Sequence, residues 1–308
     1  MLKYVIKRLL AGVLTMVVLI TVAFFMMHAM PGGPFSPSEE KNVPPEVLKR
    51  IAASYGLDQP VWKQYLTYWK NLLNGDLGVS YKTVGTVREK IEGHFPYSAQ
   101  VGVLAVLFSL LIGIPMGLIA ALHRGKVADM ATLALATVGI SVPVFVLSLL
   151  LSYLFSVKLK WLPTYGLDNW ACYILPVVCL SMNPIAYIAR QTRSSMLEAL
   201  EQDYIRTARA KGVSELMVVA KHALKNALTP IITYLGPLVA GLLTGSFVVE
   251  SRFAIPGLGY YFVRSISDRD YTMIMGIVIF FGLFVVICNL VSDILLAIVD
   301  PRVKLANE

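Results

Sequence analysis

The chain has 308 residues, of which 56% are hydrophobic and only 15% charged, and its formal charge is +8. Soluble domains carry about 25% charged residues, so an ordinary soluble enzyme is excluded. The Lys and Arg residues stand in loops between apolar blocks, which is the pattern of a protein oriented in a bilayer and not of a nucleic-acid binder.

In chain order, Lys3, Lys7 and Arg8 precede an apolar run from Leu9 to Met30. A secretory signal has a shorter apolar run followed by a small-x-small cleavage site, which is missing here. The run is therefore expected to be a retained first span, broken by Pro31-Gly32-Gly33-Pro34. Five further apolar blocks follow: Ser98–Leu122, Met130–Val157, Ala171–Ala189, Ala227–Val249 and Tyr271–Val299. At about 1.5 Å rise per residue each reaches across a hydrocarbon core of about 30 Å. Backbone groups in lipid must bond within their own segment, so all six are expected to be helices. The fold class is an all-α membrane protein with six transmembrane helices.

Fourteen of the 27 basic residues fall in segments 1–8, 123–129, 190–226 and 300–308. Basic residues favour the cytoplasmic side, so both ends are expected there. The expected organisation is a cytoplasmic end and first span over 1–30, an external domain over 31–94, a five-helix core over 95–299 and a tail over 300–308. In the external domain, Glu46–Tyr55 reads as a helix closed by Gly56, and Pro60 opens another that Asn74-Gly75 ends. Trp62, Tyr65, Leu66, Trp69, Leu72 and Leu73 form an apolar stripe on the second. It suits either the membrane interface or a small core packed on the spans.

Gly113…Gly117 and Gly241…Gly245 have the spacing that lets helix backbones approach closely. Pro143, Pro176, Pro184, Pro230 and Pro237 remove helical hydrogen bonds and invite kinks. Enzymatic signatures are missing: there is no His-Glu-x-x-His, no Gly-x-Ser-x-Gly and no P-loop, so any ATP dependence must come from a partner. Cys172, Cys179 and Cys288 lie inside apolar blocks without ligand spacing and read as small buried hydrophobes. No catalytic residue, metal site or cofactor is expected. Ionisable residues within spans are few: His28, Glu250 and Asp293, the last expected to pair with an Arg or a backbone group.

The segment between the fourth and fifth blocks, 190–226, is long, charged and helix-compatible. Acidic Glu198, Glu201 and Asp203 come before basic Arg206, Arg209 and Lys211, and Gly212 is a C-terminal stop. Two helices are expected to meet at that glycine. Such a knob suits docking on another protein or lying on anionic lipid.

Asp203-Tyr204-Ile205-Arg206-Thr207-Ala208-Arg209-Ala210-Lys211-Gly212, then His222-Ala223-Leu224-Lys225-Asn226-Ala227-Leu228, resembles the coupling loop of binding-protein-dependent ABC importer permeases. Other pieces fit the oligopeptide/dipeptide branch in order: Pro31-Gly32-Gly33-Pro34, Gly75-Asp76-Leu77-Gly78, Phe95-Pro96, Thr244-Gly245-Ser246, Ile255-Pro256-Gly257-Leu258-Gly259, Arg269-Asp270-Tyr271 and Asp300-Pro301-Arg302. The wider family's Glu-Ala-Ala falls on Arg206, Thr207 and Ala208, and the proline of its Ile-x-Leu-Pro falls on Lys225. Only the small third residue and Gly212 match.

The resemblance implies a type I ABC importer permease of the bacterial cell membrane. Its implied partners are a second permease, two cytoplasmic ATPases, an extracytoplasmic peptide-binding protein, a peptide substrate and membrane lipid. It further implies an ATPase-coupling loop at Glu201, Asp203, Tyr204, Arg206, Thr207, Ala208, Arg209, Ala210, Lys211 and Gly212. Dipeptides or nickel are alternative cargoes of this permease type. A different class, an ion-coupled carrier acting alone, stands beside it.

Overall fold

The computed structural model describes residues 2–30, 34 and 44–299. The expected turn at Pro31-Gly32-Gly33 and the tail 300–308 lie outside the described residues. α1 (Leu2–Ala29) is followed by two short helices, α2 (Pro45–Ser54) and α3 (Val61–Leu73), and then by α4 (Val87–Leu122). Next come α5 (Val127–Ser141) and α6 (Val144–Leu151), whose end widens into π-helical turns over Ser152–Lys158. α7 (Ala171–Leu200) leads into the short helices α8 (Asp203–Ala210), α9 (Glu215–Met217) and α10 (Leu224–Ala227), with π-turns over Val218–Ala223 between the last two. α11 (Thr229–Leu243), α12 (Phe247–Arg252), α13 (Leu258–Ser267) and α14 (Tyr271–Val299) complete the described chain.

Five helical stretches are long and apolar enough to cross a membrane, and a bent pair makes a sixth. That pair corrects the expected third span. Met130–Val157 is not one rod: α5 and the α6 arm meet at 103°. Pro143 lacks the N–H that would continue α5 and pushes Val142 into extended backbone (φ −84°, ψ 118°). The other prolines named as kink candidates do not break helices. Pro176, Pro184 and Pro237 sit inside continuous helices, and Pro230 occupies the first turn of α11, where its missing donor costs nothing. Two further boundaries move. α4 begins at the capping box of Thr86 and Glu89 and runs through Pro96, eleven residues before the expected Ser98. α7 continues past Ala189 to Leu200.

The core rests on α4 packed along α7. An added Cβ at Gly113 would fall 2.9 Å from Ile188, and one at Gly117 would fall 2.6 Å from Thr192 Cβ and against Ala189 O. The small-residue spacing thus brings the two backbones together. Gly102 does the same against Leu242, and Gly236 against Asn289 and Ser292 of α14. The second predicted pair behaves differently. Gly241 meets nothing within 4 Å, and Gly245 sits at φ +91° in the break between α11 and α12. α1 packs on α14, where Arg8 pairs with Asp293 at 3.1 Å, as expected of that aspartate.

The end of the molecule away from α8 is closed by two buried carboxylates. Glu250, 4% exposed, accepts hydrogen bonds from Ser98 Oγ at 2.7 Å and Tyr260 N at 2.7 Å. Ser98 Oγ in turn accepts from Leu258 N at 2.8 Å. Glycines at 245, 257 and 259 leave room for this carboxylate, since a Cβ at any of them would run into it or its partners. Asp270 accepts from Ser80 Oγ, from Tyr81 N at 3.1 Å and from Met273 N at 3.2 Å. It therefore caps α14 and ties down the 76–86 turn. The α3 stripe divides: Tyr65, Trp69 and Leu72 pack around Phe24 of α1, while Trp62, Leu66 and Leu73 stay exposed.

The two glycine pairs give contrasting expectations in chemical unfolding of the purified chain in detergent micelles. Gly117→Val is expected to lower stability by about 2–3 kcal/mol, because backbone faces its Cβ. Gly241→Ala is expected to stay within about 1 kcal/mol of the parent or gain slightly. Equal effects at both positions would contradict the packing role of Gly117.

Candidate functional site

α7 extends eleven residues beyond Ala189, about 16 Å at helical rise. The predicted pair of helices is in fact three pieces. Gln202 takes extended backbone (φ −73°, ψ 150°), which ends α7 and starts α8 one residue later. Asp203 lies in the first turn of α8 and Arg209 in its last, the order favoured by the helix dipole. Gly212 then adopts φ +78°. Its N–H bonds Arg209 O at 2.9 Å and the Val213 N–H bonds Ala208 O at 3.2 Å, the double closure of a Schellman motif. No atom lies within 4 Å of a Cβ there, so backbone conformation and not space calls for glycine.

The knob has an apolar root. Ile205 is fully buried and Ala208 is 7% exposed. They pack with Met196 and Ala199 of α7, Ala121 of α4, Val218, Val219 and Ala223. The opposite face of α8 is open: Glu201, Asp203, Tyr204, Arg206, Thr207, Arg209, Ala210, Lys211 and Gly212 are all exposed. Nine of the ten predicted site residues are thus gathered on one surface. Ala208 is the exception, because its methyl group faces the root and is shielded from any partner.

The exposed charges are partly committed. Arg209 grips Glu215 across the glycine turn, Nη2 to Oε1 at 2.5 Å and Nε to Oε2 at 3.1 Å. These bonds hold the Glu215 carboxyl below its ordinary range and raise the Arg209 guanidinium. Arg206 lies 3.5 Å from Asp203, and Arg124 at the end of α4 lies 3.2 Å from Glu201. Tyr204 Oη accepts from Asn226 Nδ2 at 2.9 Å. Lys211 makes no ion pair among the described residues.

A buried brace supports the site, and the sequence did not reveal it. Arg193 of α7 meets Asp129 of α5 in a two-pronged pair, Nε to Oδ1 at 2.5 Å and Nη2 to Oδ2 at 2.8 Å. Asp129 also accepts from Gly125 N at 2.9 Å and is 3% exposed. Bidentate geometry fixes direction as well as distance, so α5 cannot turn freely against α7. The signal was faint: an aspartate at the start of an apolar run, with its partner 64 residues away. Ile205 likewise stands in the sequence as a single apolar residue in a charged run, with nothing local to mark it as buried. No group of three or more His, Cys, Asp or Glu side chains converges as metal ligands among the described residues.

The site offers shape and charge, not a reacting group. Its exposed face carries charges of both signs, and its apolar root touches α4 at Ala121 and α7 at Met196.

Residues 113–305 match the family model described as binding-protein-dependent transport system inner membrane component, and residues 1–102 match the model of its N-terminal part. The chain is 44% identical to the dipeptide transport system permease protein DppB of Bacillus subtilis, over 99% of both chains. It is 41% identical to the oligopeptide transport system permease protein OppB of Haemophilus influenzae, over 99% of this chain and 100% of that one. Among solved structures it resembles the MetNI methionine ABC transporter, with a TM-score of 0.54 at 18% identity, over 68% of this chain and 96% of that one. An amino acid ABC transporter gives a TM-score of 0.51 at 19% identity, over 70% and 94%. These likenesses show that the fold is that of type I ABC importer permeases. With family models spanning nearly its whole length, the chain belongs to the inner membrane components of binding-protein-dependent transport systems.

Proposed function

We propose that this chain is a permease subunit of an ATP-driven importer of oligopeptides and that α8 is where the driving force enters. The observation that carries this reading is the rooted knob: an exposed charged face on a helix anchored to α7 and α4 by Ile205 and Ala208. A lipid-surface helix would turn apolar residues outward, whereas α8 turns them inward and shows Asp203, Arg206, Arg209 and Lys211.

In this reading two cytoplasmic ATPases receive α8 of this chain and of a second permease. Their closure tilts α7, and with it α4 and α5, so that the path between the permeases changes its open side. Both ends of the chain lie in the cytoplasm, with 1–30 leading into the bilayer and 300–308 leaving it. The 31–94 domain faces outward toward a peptide-binding protein, and 95–299 forms the core. Spans poor in charge suit peptides that differ in side chains. Dipeptides are the second cargo reading, supported by the name of the Bacillus relative. Uptake of labelled dipeptides against labelled pentapeptides by the assembled transporter separates the two.

Deleting 203–212, or Gly212→Pro, is expected to abolish co-purification with the ATPase subunits and to lower peptide uptake at least about tenfold, with the chain still in the membrane. Retained assembly and uptake would overturn the docking role, and uptake by the chain alone without ATP would favour an ion-coupled carrier.

The Arg209–Glu215 brace adds a pH expectation. The folded Glu215 carboxyl titrates below its ordinary value, so its contribution is present above about pH 4.5 and is lost as pH falls through the lower folded value. Hydrogen-exchange protection of the Gly212 and Val213 amides is expected to be flat from about pH 8 to about pH 5 and to fall below that. Glu215→Gln is expected to show the weakened protection already at about pH 7. An acid-sensitive profile in Glu215→Gln matching the parent would remove Glu215 as the titrating group.

A further inference from the structure

The coupling reading uses the α8 face and leaves unexplained the open side of the helix that carries it. α7 is the most shielded of the five unbent spans: 56% of its apolar window is buried, against 17–33% for the others. The residues of α7 that do stand exposed are Asn183, Tyr187, Arg190, Ser194 and Glu198. Steps of three and four residues place them on one face, and none is aliphatic. Within their apolar stretches α4 and α14 turn the opposite chemistry outward, Leu107 and Leu111 on one and Ile287 and Val291 on the other.

Arg190, Ser194 and Glu198 lie beyond the apolar block Ala171–Ala189, where water accounts for their polarity. Asn183 and Tyr187 carry the same line back into the block, Asn183 about 10 Å from Arg190 at helical rise. The Asn183 amide, the Tyr187 hydroxyl and the Arg190 guanidinium take no hydrogen bond or ion pair among the described residues. An unbonded amide facing lipid is unfavourable, and polar groups within spans face a bundle interior or a water-filled cavity. α11 supplies the adjoining wall. Its exposed residues are Thr233, Pro237 and Gly241, again without an aliphatic side chain, and Gly241 faces open space. The Tyr187 and Tyr234 rings stand 4.2 Å apart and join the two helices.

A tightly packed partner helix calls for small or aliphatic residues at the contact, whereas the α7 face offers bulky polar groups and an unpaired cation. That chemistry matches a peptide in water. An amide and a phenol hydroxyl bond main-chain N–H and C=O groups, and a guanidinium takes a terminal carboxylate. Every linear peptide has these groups whatever its side chains, so the face suits cargo of varied sequence. Resting on the peptide-importer reading above, we propose that Asn183, Tyr187 and Arg190, with Thr233 and Tyr234 of α11, form the wall of the peptide path on its α8 side. They contact the peptide through its main chain and its carboxyl terminus.

The test uses the assembled transporter in proteoliposomes, with Asn183→Cys, Tyr187→Cys and, as the lipid-facing control, Leu111→Cys. The parent, whose Cys172, Cys179 and Cys288 are buried or half-buried, is the blank. A charged, water-soluble methanethiosulfonate is expected to label Asn183→Cys and Tyr187→Cys at least about tenfold faster than Leu111→Cys, because only thiols in water ionise and react. Trialanine delivered by the peptide-binding protein is expected to slow that labelling. Arg190→Gln is expected to lower uptake of trialanine about fivefold and to leave uptake of its carboxy-terminal amide unchanged, while Arg190→Lys keeps most of the preference for the free carboxylate. Labelling as slow as at Leu111→Cys places the stripe against lipid. Labelling that is fast in the isolated chain and blocked in the assembly places it against the second permease. Fast labelling with no protection by trialanine, and equal loss of both peptides in Arg190→Gln, leaves a water channel without peptide contact. Each of these three results would overturn the proposal. A parent that imports no peptide overturns the reading of function, whereas a parent that imports peptide beside an unreactive stripe overturns this inference alone.

Discussion

The close approach of α4 to α7 is the constraint on which the other parts depend. In a bilayer the chain gains little from hiding apolar side chains from lipid, so helices associate where backbones can come near. Gly113 and Gly117 give α7 that access, and Ile188 and Thr192 fill the space a side chain would take. α7 is also the helix that carries Arg193 and ends at α8. A shift of α7 therefore cannot occur without a shift of α4, and through Asp129 it involves α5 as well.

This packing is what supports the proposed docking role of the exposed loop. A charged helix on a loose tether would absorb a push. α8 is instead tied at both ends, by extended Gln202 on one side and by the Gly212 closure with the Arg209–Glu215 pair on the other. Its apolar root reaches Met196 within α7 itself. The number of ion pairs matters less than this rooting, because exposed pairs are individually weak.

The far end follows a different rule. There carboxylates are buried, and backbone N–H and hydroxyl groups supply the hydrogen bonds that burial demands. Glu250 joins α12, α4 and the start of α13 through Ser98 and Tyr260, and Asp270 joins α14 to the 76–86 turn. Such sites need a backbone that comes within hydrogen-bonding distance of an oxygen, which is why glycines recur at 245, 257 and 259. The motifs Thr244-Gly245-Ser246 and Ile255-Pro256-Gly257-Leu258-Gly259, which in sequence look like separate turns, are two walls of one carboxylate nest.

The class, the number of apolar blocks and the position of the exposed loop are legible in the linear sequence. Hydrophobic length, charge depletion and helix-stop glycines are local properties, and Gly56, Gly75 and Gly212 each end a helix within two residues of where they were read. How a block bends and what a charge pairs with are not local. Met130–Val157 has the composition of a straight span, yet it bends through 103° where Val142, before Pro143, takes extended backbone. Gly113…Gly117 and Gly241…Gly245 share one spacing, and only the first meets a neighbouring helix. Ala208 reads like any residue of the charged run until Ile205 shows which face of α8 is buried. Asp129 with Arg193, and Ser98 with Glu250, are 64 and 152 residues apart. These pairings belong to the folded molecule, because a contact between distant residues depends on how whole helices are placed, and no local pattern carries that placement.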